Sequence, residues 1–358
     1  MDTALHHITE RVRAAAADGT PLRIRGGGSK DFYGQTLQGE LLDTRPLSGI
    51  VSYEPSELVV TVRAGTPLAE VEEVLSERGQ YLPFEPPHYA QGGAMATVGG
   101  MVAAGLNGPA RASVGAVRDY VLGSTLLNGK GELLTFGGQV MKNVAGYDVS
   151  RLLAGSLGTL GLITEVSLKV LPRAVAEATL VFELDEAQAL AQLNRWGAQP
   201  LPVNASCWHA GALMLRLRGA HAAVEAAKKT LGGQPMDDGA ATLLWNALRE
   251  QTAPFFELAE GEALMRLSVP DTAPPLGLGP TLIEWGGAQR WLKLPLSATA
   301  PQAVPAGIPG HATLFRGGDK SAGVFTPLAA PLDRITRELK KQFDPAGIFN
   351  RGRMYPDF

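Results

Sequence analysis

Residues 86–123, PPHYAQGGAMATVGGMVAAGLNGPARASVGAVRDYVLG, and residues 142–172, KNVAGYDVSRLLAGSLGTLGLITEVSLKVLP, decide how this chain is read. They are crowded with glycine and other small residues, and an earlier run, RIRGGGSKDFYG at 23–34, has the same character. Leu22-Arg23-Ile24-Arg25 alternates as a short strand does, which places Gly26-Gly27-Gly28 at a strand end where amides are free to turn inward. Thr97-Val98-Gly99-Gly100 repeats the arrangement in the second stretch. A backbone approaches a pyrophosphate only where side chains are absent, and successive N–H groups in a tight turn form an anion-binding concavity. Two such loops point to a long ligand that carries a diphosphate. Neither has the form G-x-x-x-x-G-K-[ST] or G-x-G-x-x-G, so a P-loop nucleotidase and a standard dinucleotide fold lose their main sequence support.

The rest of the chain reads as an enzyme-sized protein. Its 358 residues are 45% hydrophobic and 19% charged, enough for a full core and two domains. A formal net charge of −3 with interspersed signs speaks against a nucleic-acid partner. The opening residues, MDTALHHITERVRAAAADG, lack the apolar core of a signal peptide, and no stretch approaches the roughly twenty apolar residues of a spanning helix. The expected location is the cytoplasm, with any membrane association made through partners. A single cysteine, Cys207, excludes an internal disulfide and a cysteine-ligated iron–sulfur cluster made by this chain alone. Its neighbours Val203, Ala205 and Trp208 suit a packed strand and a structural thiol.

Local patterns divide the chain. Leu5, Ile8 and Val12 predict a helix ending near Asp18-Gly19; Ile50–Tyr53 and Leu58–Arg63 read as strands. Leu68–Arg78 reads as a helix with Thr66 as N-cap, Pro67 at its first position and Gly79 as its stop. Val121–Leu127 and Glu132–Phe136 flank an Asn128-Gly129 turn as a hairpin, and Leu162–Val170 is a further strand. From Ala174 to Phe325, strands Ala178–Glu183 and Ala212–Arg218 alternate with helices Glu186–Trp196 and Ala220–Leu231, which suggests a ferredoxin-like α+β unit. Pro301–Pro309 reads as a connector. Ala330–Phe343 follows as a basic amphipathic helix, with Leu332, Ile335, Leu339 and Phe343 on one face and its basic side solvated or against another subunit.

GGGSKDFYG, ATVGGMVAAGLNGPARASVG, NVAGYDVSRLLAGSLGTLGLITEVSLKVLP and the terminal LKKQFDPAGIFNRGRMYP resemble, in this order, the FAD-binding family of p-cresol methylhydroxylase and vanillyl-alcohol oxidase. Within it they are most similar to the FAD-binding, E-type subunits of bacterial glycolate oxidases. The resemblance implies an α+β protein. Its two-subdomain FAD-binding domain would span residues 1–173, an inserted cap 174–325, and a segment returning to the FAD-binding domain 326–358. It implies FAD, with Arg25, Gly26, Gly27, Gly28, Ser29 and Lys30 and Thr97, Val98, Gly99 and Gly100 at the pyrophosphate. Gly105, Arg111, Gly115 and Asp119 would continue the second wall of the groove. Gly158, Gly161 and Ile163 would run beside the adenosine or the isoalloxazine. Asn350 matches the asparagine of the family's terminal N-P-G motif near the ring, with Arg351 replacing the proline. A salt bridge bracing the subdomain is the alternative for Arg111 and Asp119. Where relatives attach FAD through histidine or cysteine, this chain has Ser29-Lys30, and His88, beside two prolines, reads as a turn residue. The expected FAD is therefore noncovalent.

The cap shows little chemistry. His209, His221 and His311 have no metal-ligand spacing and read as packed or surface residues, no metal is expected, and no catalytic residue is assigned. Arg316, Lys320 and Lys142 are cations without an assigned role. The resemblance implies a hetero-oligomer that takes glycolate to glyoxylate, in which a homologous FAD-binding subunit oxidises most of the small 2-hydroxy acid and an iron–sulfur subunit carries electrons onward. A self-sufficient flavin oxidase and a flavin-free assembly scaffold are the alternatives.

Overall fold

The computed structural model describes residues 2–90, 92–138, 148–300, 303–356 and 358. Helix α1 (Thr3–Asp18) starts where the Asp2 carboxylate accepts the Ala4 N–H and stops at Gly19, which takes the left-handed conformation (φ 70°) that L side chains resist. Its buried face, Ile8, Val12 and Ala15, packs with Leu22 and Leu42 of two parallel strands, β1 (Leu22–Arg25) and β2 (Glu40–Asp43). The chain then forms β3 (Ile50–Glu54), β4 (Val59–Arg63), α2 (Leu68–Glu77), β5 (Gln80–Tyr81) and α3 (Val98–Ala104). Short helices α4 (Arg111–Val114) and α5 (Val117–Tyr120) lead to the hairpin β6 (Val121–Leu127) and β7 (Leu133–Gly137). The expected turn closes that hairpin: Asn128 Oδ1 accepts the N–H groups of Lys130 and Glu132. After α6 (Val149–Leu152), β8 (Leu162–Lys169) and β9 (Leu171–Pro172) complete this part.

The five long strands form an antiparallel sheet in the order β3-β4-β8-β6-β7. Val60, Val62, Val166 and Leu168 from the sheet, Leu68, Val71 and Leu75 from α2 and Met101 from α3 share one buried cluster. Burying such side chains contributes about 1.5–3 kcal/mol each, and this cluster fixes α3 against the sheet. One detail differs from the sequence reading. Pro67, not Thr66, is the N-cap of α2 and offers it no side-chain bond. Thr66 Oγ1 instead accepts the Gly49 N–H at 2.9 Å and donates to the Arg63 carbonyl, because it is fully buried beside the β3–β4 edge.

The next strands belong to a separate sheet. β10 (Ala176–Glu183), α7 (Glu186–Gly197), β11 (Val203–His209), β12 (Ala212–Gly219), α8 (His221–Leu231) and β13 (Gln234–Pro235) follow the expected strand–helix alternation. Their order in the sheet, β13-β10-β12-β11, is fourth-first-third-second, the ferredoxin-like arrangement. The unit does not stop there. After α9 (Asp238–Glu250), strands β14 (Glu262–Ser268), β15 (Thr281–Glu284), β16 (Gln289–Pro295) and β17 (His311–Arg316) extend it beyond β11 as β15-β16-β14-β17, giving eight strands. Cys207, in β11, is fully buried.

Helix α10 (Ala330–Phe343) returns the chain to the first sheet, where Leu339 and Phe343 pack against its core. The expected apolar face is only half covered, since Leu332 and Ile335 are 56% and 52% exposed. Its basic side is not wholly solvated either. Lys340 is buried and donates to Thr159 O (2.7 Å), Phe349 O (2.9 Å) and Asp344 Oδ2 (2.6 Å). The two sheets are joined by Glu85, whose carboxylate accepts from Arg216 at 2.7 and 2.8 Å and from Arg218 at 3.2 Å.

Candidate functional site

A cleft opens where both glycine loops, α3 and the terminal segment meet. The first loop is built by absence. A Cβ on Gly26 would collide with Thr97 Oγ1, and one on Gly27 with the Met95 carbonyl, because the two loops lie against each other. Met95 N–H donates to Gly27 O at 3.2 Å across that contact. Gly28 has φ +79°, and a Cβ there would strike the Arg25 guanidinium. Arg25 sits behind the loop rather than on the cleft wall and donates to Asp31 Oδ2 at 2.6 Å. Among the described residues, the amides of Gly26, Gly27 and Gly28 donate to no protein acceptor. Three adjacent N–H groups in the wall of a cleft and without partners can form a cradle for an anion.

The second loop faces them. Thr97 caps α3, its Oγ1 accepting the Gly100 N–H at 3.3 Å, and Thr97, Gly99 and Gly100 line the cleft. Val98 does not; it is fully buried in the core behind. Gly99 holds α3 close to β4: its N–H donates to Ala64 O at 2.7 Å, and a Cβ would lie 2.6 Å from that of Ala64. Gly158, Gly161 and Ile163 line the far wall. Gly158 has φ +71° and leaves room for Asn350, whose Nδ2 would lie 2.7 Å from an added Cβ.

Asn350 also lines the cleft, but its side chain is occupied. Oδ1 accepts the Ile24 N–H at 2.8 Å and Nδ2 donates to Leu157 O at 2.6 Å, so it ties the end of β1 to the 157–158 loop. Lys340 and Asp344 place it there, since the Asp344 carboxylate accepts the N–H groups of Ile348 and Phe349. Arg351 points outward and donates to Gly347 O.

Ser29 and Lys30 lie on the same wall. Burial, opposed by the Glu250 carboxylate, brings the Lys30 ammonium down to about 8. Lys30 Nζ is held by Ser29 Oγ and His88 O at 3.2 and 3.3 Å. The His88 ring faces away, with Nε2 2.8 Å from Glu72 Oε2. Arg353 was not read from the sequence. Its guanidinium donates to the carbonyls of Gln35, Lys30 and Asp31, and burial brings it down to about 10. Two cations flanking Gly352 beside Asn350 were the available signal. Ile24, Met95 and Leu157 are further cleft residues that no pattern announced.

Besides Arg25 and Val98, four of the expected residues stand apart from this cleft. Gly105 closes α3 in the left-handed conformation against the Gly155 backbone and, with Arg111, lines a second cavity. Gly115 (φ +95°) and Asp119 lie just behind it, where Asp119 Oδ2 accepts the Ala116 N–H at 2.8 Å. Arg111 stacks over Trp285 at 4.6 Å, and no Arg111–Asp119 ion pair forms among the described residues. In the cap, Arg316 lies over Phe32 at 5.1 Å, and Lys320 donates to the carbonyls of Phe32 and Gly34. Lys142 is outside the described residues. His209 packs edge-on against Phe255, and His221 is exposed at the start of α8. Among the described residues no group of three or more His, Cys, Asp and Glu side chains is placed to hold a metal ion, and no helix is long and apolar enough to cross a membrane.

Comparison with known proteins bears on this cleft. Residues 4–137 match the FAD binding domain family. Over 351 residues, 98% of this chain and 97% of the other, the sequence is 48% identical to glycolate oxidase subunit GlcE of Escherichia coli (strain K12). The chain belongs to the GlcE family of FAD-binding proteins. It is also 30% identical to glycolate oxidase subunit GlcD of Bacillus subtilis (strain 168), over 174 residues that cover 48% of this chain and 36% of that one. Among solved structures, an alkyldihydroxyacetonephosphate synthase superposes with a TM-score of 0.65 over 96% of this chain and 75% of that one, at 13% identity. That likeness concerns the fold.

The cleft fits FAD. It offers unpartnered backbone donors where a diphosphate needs them, a cation beside them in Lys30, and an apolar wall in Ala103, Ala104, Leu157 and Ile163 for ring systems.

Proposed function

We propose that this chain is the FAD-binding subunit of a glycolate oxidase that converts glycolate to glyoxylate, working beside a homologous FAD-binding catalytic subunit and an iron–sulfur subunit that takes the electrons onward. The observation that carries the reading is the set of three unpartnered glycine amides in the cleft wall, in a chain 48% identical along its length to a glycolate oxidase subunit.

In this reading the amides of Gly26, Gly27 and Gly28, with Ser29 and Lys30, bind the diphosphate, and Arg25 braces the loop through Asp31. Thr97, Gly99 and Gly100 form the opposing wall, and Val98 anchors it from the core. Gly158, Gly161 and Ile163 lie beside the adenosine or the isoalloxazine, and Asn350 keeps their loop at the distance set by β1. Gly105 and Arg111 belong to the neighbouring cavity, with Gly115 and Asp119 beside it, rather than to this wall. Residues 1–173 and 326–358 form the FAD-binding domain and 174–325 the cap. The attachment is noncovalent, since Ser29 and Lys30 replace the linking residue and the His88 ring is turned to Glu72. Bound FAD supplies a hydride acceptor. This chain's residues hold it, exclude water from it and neutralise its diphosphate.

The test is anaerobic absorbance of the flavin-loaded chain on adding glycolate, alone and with its partner subunits. Bleaching of the flavin band only when the partners are present is the expected result. Bleaching by glycolate alone makes the chain a self-sufficient oxidase.

A further inference from the structure

A second cavity, about 200 Å³, lies between the end of α3 and the strands β14, β16 and β17 of the cap. Arg111, Arg118, Arg266 and His311 line it, and its wall contains no Asp or Glu. Among the described residues none of the three arginines forms an ion pair. The Arg266 side chain makes, among the described residues, one hydrogen bond, to the Tyr33 hydroxyl at 3.1 Å, and lies over the Phe315 ring, while Arg111 rests on the Trp285 face. The carboxylate that acts on Arg111, Asp119, accepts a backbone amide, that of Ala116. Burial and the neighbouring guanidiniums of Arg118 and Arg266 push Arg111 below its ordinary value, and partial burial with Arg266 and Arg111 does the same to His311, which stays open to solvent on one side. Like charges are thus gathered at a cavity whose wall holds no carboxylate, an arrangement that costs stability and is relieved by an anion. A guanidinium donates two parallel N–H groups to a carboxylate, and a neutral imidazole offers an acceptor to a hydroxyl. Ser268, next to His311 in the β14–β17 register, adds a second polar group.

We propose that this cavity binds a small 2-hydroxycarboxylate, with Arg111 and Arg266 on its carboxylate and His311 on its hydroxyl. The chemical class of the ligand rests on the glycolate oxidase reading above; the anion site itself rests on the unpaired arginines. The cap is then not a bare cover over the flavin. It holds the acid, although the sequence shows no metal-binding histidines there.

Calorimetric titration of the flavin-loaded chain with glycolate, acetate and inorganic phosphate tests this. Glycolate is expected to bind more tightly than acetate or phosphate. Arg111→Met and Arg266→Met should each weaken it roughly tenfold or more, as loss of a charge-assisted hydrogen bond does. His311→Leu should bring glycolate down to the level of acetate. A measurement on the unaltered chain guards against misfolded variants: glycolate should protect Arg111 and Arg266 from phenylglyoxal, read by mass spectrometry of the peptides. Absence of glycolate binding, tighter binding of phosphate, unchanged affinity in both arginine variants, or absence of protection overturns the proposal. FAD content, measured on the same samples, separates it from the reading above: glycolate binding without any FAD uptake would sink that reading and leave the anion site standing.

Discussion

The two sheets of this protein carry chemistry in different materials. Around the five-stranded sheet the site is made of backbone, exposed by glycines whose added Cβ atoms would collide with Thr97, Met95 or Ala64. Around the eight-stranded sheet the candidate groups are side chains, Arg266 from β14 and His311 from β17, aimed at a cavity that also borrows Arg111 from the other half. A backbone site demands particular residue types at consecutive positions and so leaves a mark in the sequence. A side-chain site assembled from separate strands leaves none, because any strand can present one arginine on one face.

That contrast accounts for what could be read in advance. Gly26, Gly27, Gly28, Thr97, Gly99, Gly100, Gly158, Gly161 and Asn350 were legible from their motifs, and all line the cleft. The ferredoxin-like order was legible from strand–helix alternation, but its extension by β14, β15, β16 and β17 was not. Those strands join the unit through β15, whose partner β11 is distant in the chain. Arg353 and Lys340 were missed because long cations read as surface residues, whereas here each satisfies carbonyls that would otherwise be buried without donors. The Lys340–Asp344 spacing of one helical turn was a usable signal for the latter.

Glu85 couples the two regions, and breaking it should have the largest effect. Arg216 is buried, so Glu85→Gln leaves its charge without a counter-ion and is expected to cost about 3–5 kcal/mol in urea unfolding. Coincident loss of both sheets would show them to be one cooperative unit, and separate transitions would show that the ion pair is a hinge contact only.

Smaller, and confined to the backbone-built half, is Gly27→Ala. Its methyl must displace the Met95 carbonyl, so FAD affinity should fall roughly a hundredfold, by the loss of about 2–3 kcal/mol in charge-assisted bonds, while global stability changes less. Flavin retained per chain after gel filtration measures it. Unchanged retention would mean that the loop does not face the diphosphate.

Asn350→Ala removes the tie between Ile24 N–H and Leu157 O and strands both groups. A loss of about 1–3 kcal/mol in stability is expected, with Asn350→Asp recovering only the Ile24 bond. Equal stability of the alanine variant would show that water replaces the side chain without loss.

The mildest effect is one of pH. Lys30 sits at about 8 in the folded flavin-free chain, below its unfolded value of 10.5, so it opposes folding at neutral pH and that cost fades as pH rises from 8 to 10.5. A diphosphate beside it favours the ammonium and pulls the other way. FAD affinity should therefore be level below pH 8 and decline above it, and Lys30→Met should flatten the profile while lowering affinity throughout. A wild-type profile without that decline would place Lys30 away from the bound phosphates.

The most direct test of the account is the flavin content of the purified chain after incubation with FAD and removal of excess, followed by acid precipitation. About one FAD per chain, released into the supernatant by acid, is the predicted result. A chain that retains no FAD, although folded by circular dichroism, would contradict it and leave the glycine-lined cleft without its ligand.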